Sequence, residues 1–298
     1  MKQSMPYQVV CFGEVLWDIL PSGRLPGGAP MNVAYHLKKL GANTALITKI
    51  GFDDNGKELT NIVSESGITT SYCEVDYNYA TGLVYANLSD EHEVVYDIVK
   101  PSAWDFIEWK EKYTDLLCQA NFFVYGSLSS RNDVSRNTLH QLLEIANIKV
   151  LDINLRPPHY HQSHVEYLLQ QADILKMNIA ELEVITDWFK QFKNTADRIK
   201  FLQDMFKIET VIITLGGDGA MVNDKGTEYK HNGFKVTVAD TIGSGDSFLA
   251  GYLYQLLSGA SVEQALTFAS GIGAFIATQR GACPKYELTQ IIELIQAK

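Results

Sequence analysis

Apolar positions recur along this chain in two alternating rhythms. Short β-rich runs stand at 44–50, 121–126, 148–153, 172–176 and 209–214, and Tyr7 to Phe12 is another. Between most of them apolar residues return every three to four positions, the mark of helices packed by one face. One such helix carries Val33, Leu37 and Leu40 and ends at Gly41, a residue suited to the position just past a helix end. This alternation predicts an α/β fold, a mainly parallel central sheet flanked by helices on both faces. Ligands of such sheets collect at the carboxyl ends of the strands.

Residues 71–100 break the rhythm. Three short segments, near 72–76, 82–88 and 93–99, are separated by Asn78 to Thr81 and by Ser89-Asp90-Glu91-His92, with no helix-length segment between them. They read as antiparallel strands of a small sheet outside the main one. Spacing allows either an edge extension of the main sheet or a lid that closes over a substrate. Pro21 to Pro30 reads as a turn region. With no repeat or disordered linker, 1–298 is expected to form a single domain, with a β lid at approximately 71–100.

Composition narrows the class. The 298 residues are 46% hydrophobic and 20% charged, as in an ordinary soluble globule. Twenty-five basic against 35 acidic residues give a net charge of −10, which argues against a nucleic-acid partner. No stretch approaches the roughly 18 apolar residues of a membrane span, and Met-Lys-Gln-Ser-Met-Pro leads into a strand rather than a signal peptide. Cys11, Cys73, Cys118 and Cys283 are isolated. Four scattered thiols without C-x-x-C spacing suggest free cysteines, so a cytoplasmic location is expected.

The chemistry concentrates in Asp240-Thr-Ile-Gly-Ser-Gly-Asp-Ser-Phe-Leu-Ala-Gly251. Gly243 and Gly245 bracket Ser244 in a turn able to bare several backbone amides. Asp246 stands where a helix begins, because Phe248, Leu249, Tyr252, Leu253, Leu256 and Leu257 follow at helical spacing. Bare amides at a helix N-terminus form an anion site. A carboxylate there would repel a simple anion, or would serve only as a first-turn acid. It gains a role if it takes a proton from an attacking hydroxyl while the amides hold the phosphoryl group. The helix dipole is expected to lower its pKa.

Two further patterns compete for attention. Gly51-Phe-Asp-Asp-Asn-Gly-Lys-Glu58 matches G-x-x-x-x-G-K between a strand and a helix. Its last position should be Ser or Thr to ligate Mg²⁺, and Asp53 and Asp54 would repel phosphate. A strand–helix turn with Asx hydrogen bonds is the expected reading. His159, His161 and His164 have metallohydrolase spacing, yet Ser163 stands where an acidic ligand belongs. A solvated loop is expected there.

Other residues have two readings each when taken alone. Asp18 can accept two hydroxyl hydrogen bonds or cap a turn. Gly27 and Gly28 admit a close ligand, with Asn32 donating and accepting toward it, or form a Gly-Pro turn. Arg156 offers a fork of donors to a phosphate or a hydroxyl pair, or is a surface arginine. Asn178 and Glu181 share a helix face, where the carboxylate can order water around Mg²⁺ or stay solvated. Thr214 ends a β-branched run, and Gly216, Gly217 and Gly219 follow in a turn that can face a nucleotide.

Taken together and in this order, these segments resemble the ribokinase-like, or PfkB, carbohydrate kinases nearly end to end. Gly13-Glu-Val-Leu-Trp-Asp18 resembles that family's first strand and its sugar-binding Asp. Gly27-Gly-Ala-Pro-Met-Asn-Val-Ala34 resembles the N-terminal signature in its fructokinase form, and Gly51 to Gly56 its G-x-D-x-x-G segment. Asp152-Ile-Asn-Leu-Arg156 resembles a fructokinase stretch, Asn178 to Glu181 the N-x-x-E element, and Thr214 to Gly219 a nucleotide-site turn. The resemblance implies an ATP-dependent sugar kinase, with D-fructose first and 2-keto-3-deoxygluconate, ribose or a nucleoside as alternatives. It implies Asp246, Gly243, Ser244 and Gly245 as catalytic, and Asp18, Gly27, Gly28, Asn32 and Arg156 as sugar-binding. Asn178, Thr214, Gly216 and Gly219 would face ATP, Glu181 would hold Mg²⁺ through water, and the backbone of Asp240 would hold a K⁺ ion. It also implies a homodimer through the lid, although only eight residues separate Asp18 from Gly27 where many members carry a longer loop. Two rivals differ in class: a non-catalytic sugar or nucleotide sensor, which needs no base at Asp246, and a P-loop NTPase built on Lys57.

Overall fold

The computed structural model describes residues 6–21, 23–88 and 94–297. From the N-terminus, β1 (Val9–Phe12) leads into a hairpin of β2 (Leu16–Leu20) and β3 (Gly23–Gly27), and α1 (Ala29–Lys39) follows. The chain continues through β4 (Thr44–Gly51), α2 (Asp54–Glu65), β5 (Cys73–Asp76), β6 (Gly82–Leu88) and β7 (Val94–Ile98). Strands and helices then alternate: α3 (Lys112–Gln119), β8 (Phe122–Gly126), α4 (Asp133–Ile145), β9 (Ile148–Asp152), α5 (Gln162–Gln171) and β10 (Ile174–Asn178). Two helices, α6 (Ile179–Asp187) and α7 (Thr195–Phe206), precede β11 (Thr210–Thr214). A meander of β12 (Ala220–Asp224) and β13 (Thr227–His231) leads to α8 (Ser244–Leu257), α9 (Val262–Ala277) and α10 (Leu288–Gln296).

The main sheet has nine strands in the order β13-β12-β11-β10-β9-β8-β1-β4-β5. Pairing is parallel from β11 to β5 and antiparallel through β12 and β13. Every residue of β1 and β4 is buried, as expected of central strands covered on both faces. One core lies on each side of the sheet, the first around Trp104, Leu139, Leu151 and Leu202, the second around Met31, Leu37, Leu249 and Ile272. The helix ending near Leu40 closes as expected, with the Gly41 amide donating to the Lys38 carbonyl and the Ala42 amide to that of Leu37. Among the described residues no helix is long and apolar enough to cross a membrane.

The small sheet differs from the expected one in its membership. Its order is β3-β2-β6-β7, so two of its strands come from residues 16–27, including part of the segment read as a turn region. Segment 73–76 instead pairs in parallel with β4 at the edge of the main sheet. Edge extension and lid are therefore both present, divided between neighbouring segments. Periodicity marks a strand but not the sheet it joins, and this sheet is mixed: β2 pairs with β6 in parallel, between two antiparallel pairs. The expected turn at Ser89 to His92 lies outside the described residues.

Two side chains fasten the crossings between the sheets. Asp53 caps α2 by accepting the Gly56 amide at 2.7 Å, and its other contacts are to the Thr81 amide at 2.8 Å and hydroxyl at 2.7 Å. The false phosphate loop is thus an Asx-capped strand–helix turn tied to the entrance of β6. At the exit of β7, buried Arg131 pairs with Asp105 at 2.7 Å and donates to the Val99 carbonyl at 2.6 Å.

Candidate active site

A cavity of about 550 Å³ opens between the carboxyl ends of β9, β10 and β11, the N-terminus of α8 and the inner face of the small sheet. The sequence places chemistry there because three parallel strands end on polar residues: Asp152, Asn178 and Thr214. Of the residues singled out above, Asp18, Gly28, Asn32, Arg156, Asn178, Glu181, Thr214, Gly216, Gly219, Gly243, Ser244, Gly245 and Asp246 all line it. Residues more than 220 positions apart meet in one chamber. Gly27 and Asp240 do not line it. Gly27 packs against the Asp18 carboxylate, which occupies the space a side chain would need. Asp240 holds the turn from behind, accepting the Ile242 and Gly281 amides at 3.0 Å each.

The turn before α8 has the expected form. Gly243 is the residue before the helix, with φ 76°, and a side chain there would strike the Ala282 backbone. The Ser244 amide bends back to the Thr241 carbonyl at 3.2 Å, and that of Ser247 reaches the Gly243 carbonyl at 2.8 Å. The amides of Gly245 and Asp246 fall in the first turn, where helix geometry supplies no acceptor. The amides left open at this turn therefore lie one residue later than the Gly243–Gly245 stretch suggested, because Ser244 spends its amide on the loop.

Asp246 is half-buried in the cavity wall. Asn32 donates from Nδ2 to its Oδ2 at 2.8 Å. The Cys283 thiol in turn donates to Asn32 Oδ1 at 3.3 Å, which fixes the direction of the amide. Burial pushes the Cys283 thiol up, so it stays protonated and able to donate. The Asp246 carboxyl is raised above its ordinary value, chiefly by burial; Lys176, the Asn32 hydrogen bond and Arg156 pull it down, and Asp152 pushes it up. This corrects the expectation of a lowered pKa. Desolvation by the cavity walls outweighs the helix end, and the group is a better base than a solvated aspartate.

Lys176 escaped the sequence reading. It is 7% exposed on β10, and its ammonium donates to both Asp152 oxygens, at 3.0 and 2.8 Å. The same nitrogen would lie 3.0 Å from a side chain at Gly245, so it abuts the start of α8. Burial works against its charge, but Asp152 and Asp246 keep its pKa raised. A lysine inside the apolar run Ile-Leu-Lys-Met was the available signal, since charged residues are rarely buried unless paired.

Where the same strand ends, Glu181 and Asn178 form a reciprocal cap at the start of α6. Glu181 accepts the Asn178 amide at 2.8 Å and the Leu155 amide at 2.9 Å, and Asn178 accepts the Glu181 amide at 2.9 Å. Each carboxylate oxygen thus accepts one backbone amide, and Glu181 lines the cavity. Asp18 lies across from it on β2, half-buried; burial pushes its pKa up to about 6, with Arg156 opposing.

The histidine run carries no such convergence. His161 precedes α5, His164 meets the Ser130 hydroxyl at 2.7 Å, and His159 approaches Arg131 at 3.5 Å. Lys57 is exposed on α2 and is not among the residues lining the cavity. Lys57→Ala is expected to leave turnover and both Michaelis constants within about twofold of the parent, as for other exposed positions. Steady-state kinetics check this, and a large loss would return weight to a P-loop.

A family model described as pfkB family carbohydrate kinase matches residues 22–288. Probable fructokinase-6, chloroplastic, of Arabidopsis thaliana is 32% identical over 311 residues, which cover 95% of this chain and 80% of that protein. Fructokinase-1 of Oryza sativa subsp. japonica is 28% identical over 319 residues, covering 97% and 98%. Among solved structures, fructokinase with bound ATP from Xylella fastidiosa matches with a TM-score of 0.88 at 23% identity, covering 98% of this chain and 99% of that one. A fructokinase double mutant from Vibrio cholerae O395, in a form with fructose, ADP and potassium ion bound, matches with a TM-score of 0.85 at 24% identity, covering 99% and 100%.

Proposed function

The chain belongs to the pfkB family of carbohydrate kinases, and we propose that it transfers the γ-phosphoryl group of ATP to a primary hydroxyl of D-fructose. One observation carries the residue assignment: a half-buried carboxylate, Asp246, held by Asn32 at the open end of α8 inside a cavity shared with Asp18 and Arg156. Asp18, Gly28, Asn32 and Arg156 face the sugar. Asn178, Thr214, Gly216 and Gly219 face the nucleotide. Asp246 orients the attacking hydroxyl and accepts its proton as the new P–O bond forms, and the first-turn amides of α8 stabilise charge on the phosphoryl oxygens. A loose transition state needs little deprotonation until late, so a carboxylate suffices as the base.

Glu181 suits Mg²⁺ held through water, since both its oxygens already accept a backbone amide. When bound, that ion neutralises charge on the ATP phosphates. A monovalent cation behind the turn would rely on the carbonyls of Asp240 and Ile242. The Ala277 carbonyl already accepts two amides, from Ala239 at 2.8 Å and Asp240 at 3.3 Å. Free cysteines at all four positions support a reducing, cytoplasmic setting. The small sheet, with Tyr85 exposed on it, is the proposed contact surface of a homodimer, which sedimentation would test.

Purified protein with ATP, Mg²⁺ and a panel of sugars in an ADP-coupled assay is expected to turn over fastest with D-fructose. Faster turnover of 2-keto-3-deoxygluconate, ribose or a nucleoside would reassign the acceptor. No turnover with any of them would favour a sensor. The pH dependence is a second test. Asp18 accepts sugar hydroxyls fully only when ionised, so the sugar KM is expected to rise as pH falls through about 6. Asp18→Asn should abolish that inflection, and an unchanged profile would remove Asp18 from the sugar site.

A further inference from the structure

Beneath the sugar side of the cavity lies an acid with no role in the scheme above. Glu14 follows β1 and is 3% exposed. Its Oε1 accepts the Ala29 amide at 3.3 Å, but Oε2 is buried without a hydrogen-bond partner. An orphaned buried oxygen is destabilising, so the site calls for a partner. A void of about 10 Å³ adjoins it, walled by Ala29, Pro30 and Val33 of α1, by Gly126 to Leu128, and by Asp152 and Asn154. Roughly 10–15 Å³ is the least space that admits one water molecule, which then needs two to four polar partners. Glu14, Asp152 and Asn154 supply polar groups, and all three also line the main cavity.

We propose that this void binds one internal water, hydrogen-bonded to Glu14 Oε2 and to the polar wall formed by Asp152 and Asn154, and that through it Glu14 is a positioning residue for the sugar. The bridge joins two segments that face the acceptor. One is the Gly28–Ala29 turn, which leads to Asn32 and thence to Asp246. The other is Asp152 to Arg156. Neither carries the nucleotide-facing residues Asn178, Thr214 and Gly216, so the effect falls on one substrate only. Burial pushes the Glu14 carboxyl up to about 7, with Asp246 adding to the rise and Arg156 opposing it. An acid that is partly protonated near neutral pH sits beside a water at lower cost than a full charge.

A high-resolution crystal structure of the wild-type protein is expected to show a single water peak within hydrogen-bond distance of Glu14 Oε2. A dry void, or Glu14 turned into the main cavity, would overturn the water site. Glu14→Met fills the space with apolar atoms. It is expected to raise the sugar KM by about tenfold, the loss of roughly one hydrogen bond, with the ATP KM unchanged and the melting temperature equal or higher. Glu14→Gln keeps a polar end for the water and should recover most of the sugar affinity. Equal changes in both Michaelis constants, or an unchanged sugar KM, would overturn the positioning role. The kinetic arm rests on the sugar-kinase reading and the crystallographic arm does not, so absence of wild-type turnover would sink that reading while leaving the water decided.

Discussion

Asp246→Asn is expected to reduce kcat by about 10²–10⁴-fold, the usual contribution of a positioned base, while the sugar KM changes little. The substitution is nearly isosteric and preserves the contact with Asn32, whose Nδ2 now lies 2.8 Å from the carboxylate. What it removes is the ability to take a proton. The environment accounts for the size of the effect: burial raises the pKa of this carboxyl while Lys176 and Asn32 hold its charge. A carboxylate so placed accepts a proton more readily than a solvated aspartate, while Lys176 and Asn32 oppose its neutralisation. Because the cradle amides of α8 belong to the backbone, they survive the change, and residual turnover above the uncatalysed rate is expected. Single-turnover kinetics separate binding from chemistry here. Near-normal kcat in the Asn variant would mean that the hydroxyl loses its proton elsewhere, and the role given to Asp246 would fall.

Much of this site was legible because its chemistry is local in sequence. The Gly243–Asp246 turn joins a glycine with positive φ, a helix start and an acid within four residues, and each leaves a mark in the residue pattern. Asn178 and Glu181 are likewise a local cap. What escaped depends on contacts across the fold. Lys176 meets Asp152 from a neighbouring parallel strand, 24 residues away, and a lysine in an apolar strand carries no hint of its partner. Cys283 reaches Asn32 across 251 residues. The lid shows the same limit. Alternation identified strands near 82–88 and 93–99 but could not assign β2 and β3 to them, because a strand's sheet is decided by pairing partners and not by its own side chains. The pKa of Asp246 was misjudged for a related reason: the helix dipole is readable from the sequence, whereas desolvation depends on walls built by distant segments.

Lys176→Met is expected to lower stability by about 3–5 kcal/mol, the cost of leaving one member of a buried ion pair alone. Asp152 is 4% exposed and takes both its short contacts from the Lys176 ammonium. Methionine fills a similar volume, so loss of charge and not of packing dominates. The consequence reaches Asp246. Lys176 is the foremost influence lowering that carboxyl's pKa, and Asp152 raises it. Without the ammonium two carboxyls share a low-dielectric wall, and one of them takes up a proton at neutral pH. The sign follows directly: Asp246 must be ionised to act as a base, its pKa rises, and the acid limb of kcat against pH moves toward higher pH. Alkaline conditions should then restore part of the lost turnover, which a purely structural defect would not allow. Adding Asp152→Asn removes the unpaired charge, so the double variant is expected to regain most of the stability and to bring the acid limb back down. Denaturant unfolding and pH–rate profiles on the parent protein and the two variants measure both effects. A single variant with parental stability and an unmoved acid limb would show that the Lys176–Asp152 pair does not set the charge of Asp246.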